Sequence, residues 1–207
     1  MEIDKYIHHI KSHDTYGNGI LIGNYFFTAA HVIEKAVKSY VTIEDKTQEL
    51  TKDTALVLKT NEERRWDGYD LAIYRFDDII PSPLTLYDKL PTNDIIINCG
   101  FYNRKSSIMN KSNVFSSPIE EEYVFTLLNG KAIHIYGNFI ECKLNGKVRT
   151  GNSGCPIIYG TSVVGILYGD KDEKDSSETA LFLSSKAIIR LLDELSIPFN
   201  RIYSNSF

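Results

Sequence analysis

Cysteine is scarce in this 207-residue chain: Cys99, Cys142 and Cys155 make an odd set, with no Cys-x-x-Cys pair. A disulfide-stapled framework is therefore not expected, and a reducing compartment suits the chain. Basic charge is not in excess either, since 23 Lys and Arg stand against 27 Asp and Glu, for a net charge of -4. Nucleic-acid binders carry a basic face, so no DNA or RNA partner is expected. No apolar run approaches the roughly 18 residues of a membrane-spanning helix. The N-terminus, MEIDKYIHHIKSHDTYG, mixes acidic and basic residues and lacks the apolar stretch of a signal peptide. No membrane association is expected, and the expected location is cytoplasmic. Internal repeats and low-complexity tracts are absent too. What remains is an ordinary globular composition, 43% hydrophobic and 24% charged, in a chain long enough to bury a core.

Short apolar runs rich in Val, Ile, Tyr and Phe recur along the chain, separated by Gly, Asn, Asp and Pro. They include KSYVTI, TALVLKT, YDLAIYRF, DIIINCGF, YVFTLL, HIYGNFIEC, CPIIY, SVVGILYG and ALFLS. Such spacing predicts an all-β sandwich or barrel. GILIGNYFFTAA reads as a hairpin turning at Gly23 and Asn24. Two segments read as helices: AAHVIEKAVK, and the terminal SSKAIIRLLDELSI, which opens on serine caps and keeps Ile188, Leu191, Leu192 and Leu195 at helical spacing. A proline-rich stretch, DDIIPSPLTLYDKLPTND, marks a break between two halves. The acidic run EEE at 120–122 and the charged run DKDEKD at 170–175 read as solvated loops.

The stretch RTGNSGCPII crowds Gly151, Asn152, Ser153 and Gly154 ahead of an apolar run. A turn alone would account for it unless the serine has partners. A serine hydroxyl needs a base to take its proton, and that base works best when a buried carboxylate fixes its tautomer. FFTAAHVI offers His31 directly after an apolar strand, and GYDLAIYRF offers Asp70 at the mouth of another.

Together, TAAHV, DLAIYRF and GNSGCP resemble the three signature segments of the chymotrypsin-like (trypsin-fold) serine proteases. Among them the chain looks closest to the bacterial HtrA-type and glutamyl-endopeptidase-like members, without a PDZ domain. GNGILIG, SVVGILYG and the ending ALFLSSKAIIRLLDEL fall where that family places barrel strands and its last helix. The resemblance implies two six-stranded antiparallel β-barrels with a C-terminal α-helix. It implies one peptidase domain over 1–207, with an N-terminal barrel at 15–85, a C-terminal barrel at 92–185 and the helix at 186–196. By the same resemblance Ser153 is the nucleophile, His31 the general base and Asp70 the residue that orients the imidazole. The N–H groups of Gly151 and Ser153 would form the oxyanion hole.

The chain departs from the family pattern at several places. Cys155 replaces the second glycine after the serine, and Val32 stands where vertebrate members carry a paired cysteine. Asn152 replaces the aspartate that pairs with a freed N-terminus, so no zymogen cleavage is expected. By analogy Lys147, Thr150, Leu167, Tyr168 and Gly169 line the substrate pocket. Lys147 is a candidate cation for an acidic substrate residue, and His134 a second one. His8, His9 and His13 are read as a solvated N-terminal arm and not as a metal cluster, because no cysteine or patterned carboxylate completes one. Cys99, Cys142 and Cys155 are read as buried core thiols. The expected function is limited processing of intracellular protein or peptide substrates by a serine endopeptidase. No metal or cofactor is expected, and a regulatory protein partner is left open. The alternative is a protease-like module that binds peptides or proteins without hydrolysing them.

Overall fold

The computed structural model describes residues 2–12, 15–34, 36–104, 123–169, 176–199 and 201–202. A 3-10 turn at Ile3–Tyr6 leads into β1 (Ile7–Ser12), β2 (Tyr16–Ile22), β3 (Tyr25–Thr28), the short helix α1 (Ala30–Glu34), β4 (Ser39–Ile43), β5 (Lys46–Leu50), β6 (Val57–Lys59) and β7 (Leu71–Arg75). These strands form one antiparallel sheet in the order β5-β4-β1-β2-β3-β7-β6. The second half contains β8 (Thr85–Tyr87), β9 (Ile97–Arg104), β10 (Tyr123–Tyr136), β11 (Phe139–Arg149), β12 (Pro156–Tyr159), β13 (Ser162–Gly169), β14 (Ser176–Ser184), helix α2 (Ser185–Glu194) and β15 (Arg201–Ile202). Its sheet runs β12-β9-β10-β11-β14-β13-β8-β15, and β12 also pairs with β13. Six strands therefore close into a barrel, to which β8 and β15 add by parallel pairing.

The chain thus forms the expected pair of β-barrels with a C-terminal helix. In detail the N-terminal barrel is open: it has seven strands, and its outer strands β5 and β6 are not paired with each other among the described residues. The segment read as a solvated arm is instead β1, which lies between β2 and β4 with His8 opposite Gly19 and His9 opposite Asn18. Ile7 and Ile10 are buried on its two faces, which drives the segment into the sheet. YVFTLL and the start of HIYGNFIEC belong to one long strand, β10. The chain then turns at Gly137, whose φ is +55 and where a Cβ would meet Trp66 O at 2.2 Å. The first helix spans only five residues. Residues 120–122, 170–175 and His13, named above, lie outside the described residues.

Three cores hold the lobes. β2 is buried on both faces because Leu21 points into the first barrel with Phe26, Val41 and Tyr74, while Ile20 and Ile22 join an inter-lobe core with Phe139, Leu183 and Ile188. Burying each such aliphatic side chain contributes about 1.5–3 kcal/mol. Helix α2 is capped by Ser184, whose hydroxyl accepts the Ala187 N–H, and its Ile188, Leu191 and Leu192 seal the inter-lobe core. The closed barrel is filled by Phe101, Ile140, Ile157 and Phe182 together with all three cysteines, none of them in a disulfide.

Candidate active site

His31 is the second residue of α1, directly after the fully buried pair Ala29 and Ala30, whose small side chains let the chain turn tightly out of β3. Asp70 immediately precedes β7. Pairing of β3 with β7, Thr28 opposite Ala72, brings the two residues together. The Asp70 carboxylate is 2% exposed. Its Oδ2 lies 2.7 Å from His31 Nδ1, and its Oδ1 accepts the His31 backbone N–H at 3.0 Å. A carboxylate can only accept, so in the neutral imidazole Nδ1 carries the proton and Nε2 is left as an acceptor.

Ser153 sits in a loop of tight turns between β11 and β12. The Asn152 N–H donates to Arg149 O at 3.0 Å, with Gly151 between them at φ +91, and the Asn152 side chain accepts the Arg149 N–H at 2.8 Å. That placement of a positive φ is the type II pattern, which favours glycine. Gly154, also at φ +83, donates to Leu167 O, and Cys155 donates to Asn152 O. Of the N–H groups from Gly151 to Cys155, only those of Gly151 and Ser153 enter no hydrogen bond among the described residues. The loop lies against the strand and turn that lead to His31. Asn18 N–H donates to Ser153 O at 2.8 Å, and a Cβ at Gly154 would lie 2.0 Å from Asn18 O and 3.1 Å from Ala29 N. Ser153 Oγ and His31 Nε2 are not hydrogen-bonded to each other among the described residues.

Of the remaining predicted residues, Tyr168 comes to the site: its ring meets that of His31 edge-on at 6.2 Å and packs on Phe139 at 5.2 Å. Burial, aided by the Asp70 charge and opposed by Arg64, pushes the Tyr168 phenol above its ordinary range. Gly169 follows at the end of β13. The Leu167 side chain is buried in the closed barrel, so its backbone, not its side chain, serves the loop. Lys147 and Thr150 are exposed, and His134 lies on β10 beside Tyr136, opposite Glu141. Cys155 Sγ faces Cys99 Sγ at 3.4 Å in the barrel interior, which accommodates a side chain where a second glycine was expected. Among the described residues no group of His, Cys, Asp and Glu is arranged for a metal, and no helix is long and apolar enough to cross a membrane.

The sequence matches the Trypsin family over residues 5–189, most of its length. The chain belongs to the trypsin family. Solved structures agree on the fold. The Rv3671c protease from M. tuberculosis, in its active form, is 19% identical with a TM-score of 0.62, over 97% of this chain and 84% of that one. An inactivated protease paralogue of the scabies mite is 12% identical with a TM-score of 0.67, over 96% and 95%. A catalytically inactive tobacco etch virus protease, solved with its substrate, is 18% identical with a TM-score of 0.58, over 99% and 92%. Among curated proteins none matches the sequence.

Within this trypsin-family frame, Asn152 finds a neutral partner: its Nδ2 donates to Asn103 Oδ1 on β9 at 2.9 Å. Two further asparagines escaped the sequence reading. Asn18, fully buried, touches the Ser153 loop. Asn138 donates to Asp67 O and Gly68 O and is itself held by Arg190, clamping the segment that ends at Asp70. Their one signal is a polar residue beside glycine, in GNG and YGN, which also marks any turn.

Proposed function

We propose that the chain is a serine endopeptidase with His31, Asp70 and Ser153 as its catalytic residues. His31 Nε2 accepts the Ser153 hydroxyl proton as Oγ bonds to the scissile carbonyl carbon and the carbonyl electron pair moves onto oxygen. That oxyanion is received by the N–H groups of Gly151 and Ser153. On collapse the C–N bond breaks, the imidazolium returns its proton to the leaving amine, and an acyl-enzyme remains. Water then repeats the sequence, releasing the acid and restoring Ser153. Asp70 holds the tautomer and stabilises the imidazolium. These steps call on neither metal nor organic cofactor.

The pattern of spent and unspent donors carries this reading. Asp70 takes both available N–H groups of His31, and from Gly151 to Cys155 the N–H groups that enter no hydrogen bond among the described residues are the two that an oxyanion would need. Removing one such donor typically costs about 10²–10³ in rate. On the same reading Tyr168, Gly169 and Thr150 flank the substrate, Leu167 supports them from the core, and the exposed Lys147 offers a cation to an acidic side chain. Limited processing of protein targets in the cytoplasm, with a regulatory partner, belongs to this proposal. Its test is intact mass after exposure to a fluorophosphonate probe. One adduct on the native protein, abolished by Ser153→Ala and by His31→Ala, is expected.

One observation favours the second reading, a silent peptide-binding module: the missing hydrogen bond between Ser153 and His31. Catalytic hydrogen bonds are often long without substrate and tighten in the complex. The same experiment separates the two readings, because a folded protein that takes no adduct has no activated serine.

A further inference from the structure

We infer that Asn18 is a positioning residue that shapes the oxyanion loop from the opposite lobe. The inference rests on the reading of Ser153 as nucleophile. Asn18 lies in β2 and is fully buried. Its backbone N–H donates to Ser153 O at 2.8 Å, and its side-chain Nδ2 donates to Gly151 O at 3.0 Å. One residue therefore holds the carbonyls of Gly151 and Ser153, whose N–H groups enter no hydrogen bond among the described residues. The amide orientation is fixed independently: Oδ1 accepts the Tyr102 N–H of β9 at 2.7 Å, a group that can only donate, so the NH₂ must face Gly151. Gly17, the preceding residue, lets β2 come this close, since a Cβ there would lie 2.8 Å from the Val32 methyls and 3.1 Å from Ser153 O.

The contact sets a peptide plane. The Gly151–Asn152 peptide is pinned at its carbonyl by Asn18 and at its N–H by Arg149 O. With that plane held and Gly151 at φ +91, the N–H of Gly151 is left without a partner among the described residues. Without Asn18, a buried carbonyl loses its partner, and glycine adopts φ of either sign at little cost. The turn is then free to rearrange and withdraw the Gly151 N–H. Asn152 adds a neutral tie to the same strand through Asn103, whose Nδ2 donates onward to Thr126 Oγ1 at 3.1 Å. Among the described residues the loop is thus set by amides, with no buried charge pair.

The test compares native protein with Asn18→Ala and Asn18→Asp. The aspartate keeps the shape and the acceptor for Tyr102 but sets an oxygen against Gly151 O. Phosphonylation of Ser153 by a fluorophosphonate is expected to slow about 100-fold or more in both variants. The half-saturating probe concentration and the low-field proton resonance of His31 Nδ1 should be unchanged. In ¹⁵N-glycine-labelled native protein the Gly151 N–H should move downfield on phosphonylation, and in the variants it should not. Folded variants that react at the native rate overturn the inference. Should the variants fail to fold, exchange of the Asn18 side-chain protons in native protein decides: protection supports it, and exchange as in a free asparagine overturns it. Should native protein take no probe, the nucleophile reading falls by itself. Asn18 is then judged by the Asn152 amide in Asn18→Ala, whose loss of protection supports the inference and whose retention overturns it.

Discussion

Replacing Asp70 by asparagine asks how much of the chemistry rests on two hydrogen bonds. The native carboxylate accepts the His31 N–H at 3.0 Å and lies 2.7 Å from Nδ1. An asparagine has one acceptor and one donor for those places. If its oxygen keeps the backbone N–H, its NH₂ faces Nδ1, the ring proton moves to Nε2, and no lone pair remains for Ser153. The opposite orientation sets donor against donor at a site 2% exposed, at about 1–3 kcal/mol. Losing the charge-assisted bond to the imidazolium costs about 1.5–3 kcal/mol more. Together these terms come to about 2.5–6 kcal/mol, so phosphonylation and hydrolysis of an activated p-nitrophenyl ester should both fall about 10²–10⁴-fold. The unfolding midpoint should hold or rise, because a buried charge is removed without changing shape. A folded Asp70→Asn protein that keeps more than about a tenth of the native rate would refute the reasoning.

Three other outcomes are expected. Gly154→Ala forces a side chain into the left-handed region, about 1–2 kcal/mol, and a Cβ onto Asn18 O at 2.0 Å, about 1–3 kcal/mol more, so urea unfolding should show a loss of about 2–5 kcal/mol. His8 is held down to about 4 from 6.5, chiefly by burial. The unfolded chain therefore binds the extra proton, and stability that is full above about pH 6.5 is lost toward pH 4, by about 3 kcal/mol in all; His8→Leu should flatten that part of a denaturation-versus-pH curve. Burial pushes the Cys142 and Cys155 thiols up, so iodoacetamide at neutral pH should leave both untouched in the folded protein and alkylate all three cysteines in urea.

The residues of the candidate site were legible because each stands in a short segment whose local pattern is tied to its chemistry: TAAHV, DLAIYRF and GNSGCP. The hairpin at Gly23 and the capped terminal helix were legible for the same local reason. β1 was not, because Ile7 and Ile10 feed two different cores and two histidines lie between them, so neither strand alternation nor an apolar run shows. Asn18 was invisible as a support because its partners Tyr102 and Gly151 stand 84 and 133 residues away. The exposure of Lys147 on β11 could not be had by counting back from Ser153, since a strand's register and not its distance along the chain decides which way a side chain faces.

The anchoring of Gly154 to Leu167 O also bears on synthesis. A growing polypeptide that has emerged only through β12 already contains His31, Asp70 and Ser153, yet the carbonyl that fixes the serine turn has not been made. That carbonyl belongs to β13, and β14, which also completes the second barrel, comes later still. On the proposed reading the serine is therefore armed only after β13 has been made, and chains released before it carry the candidate residues without the shape that would activate them.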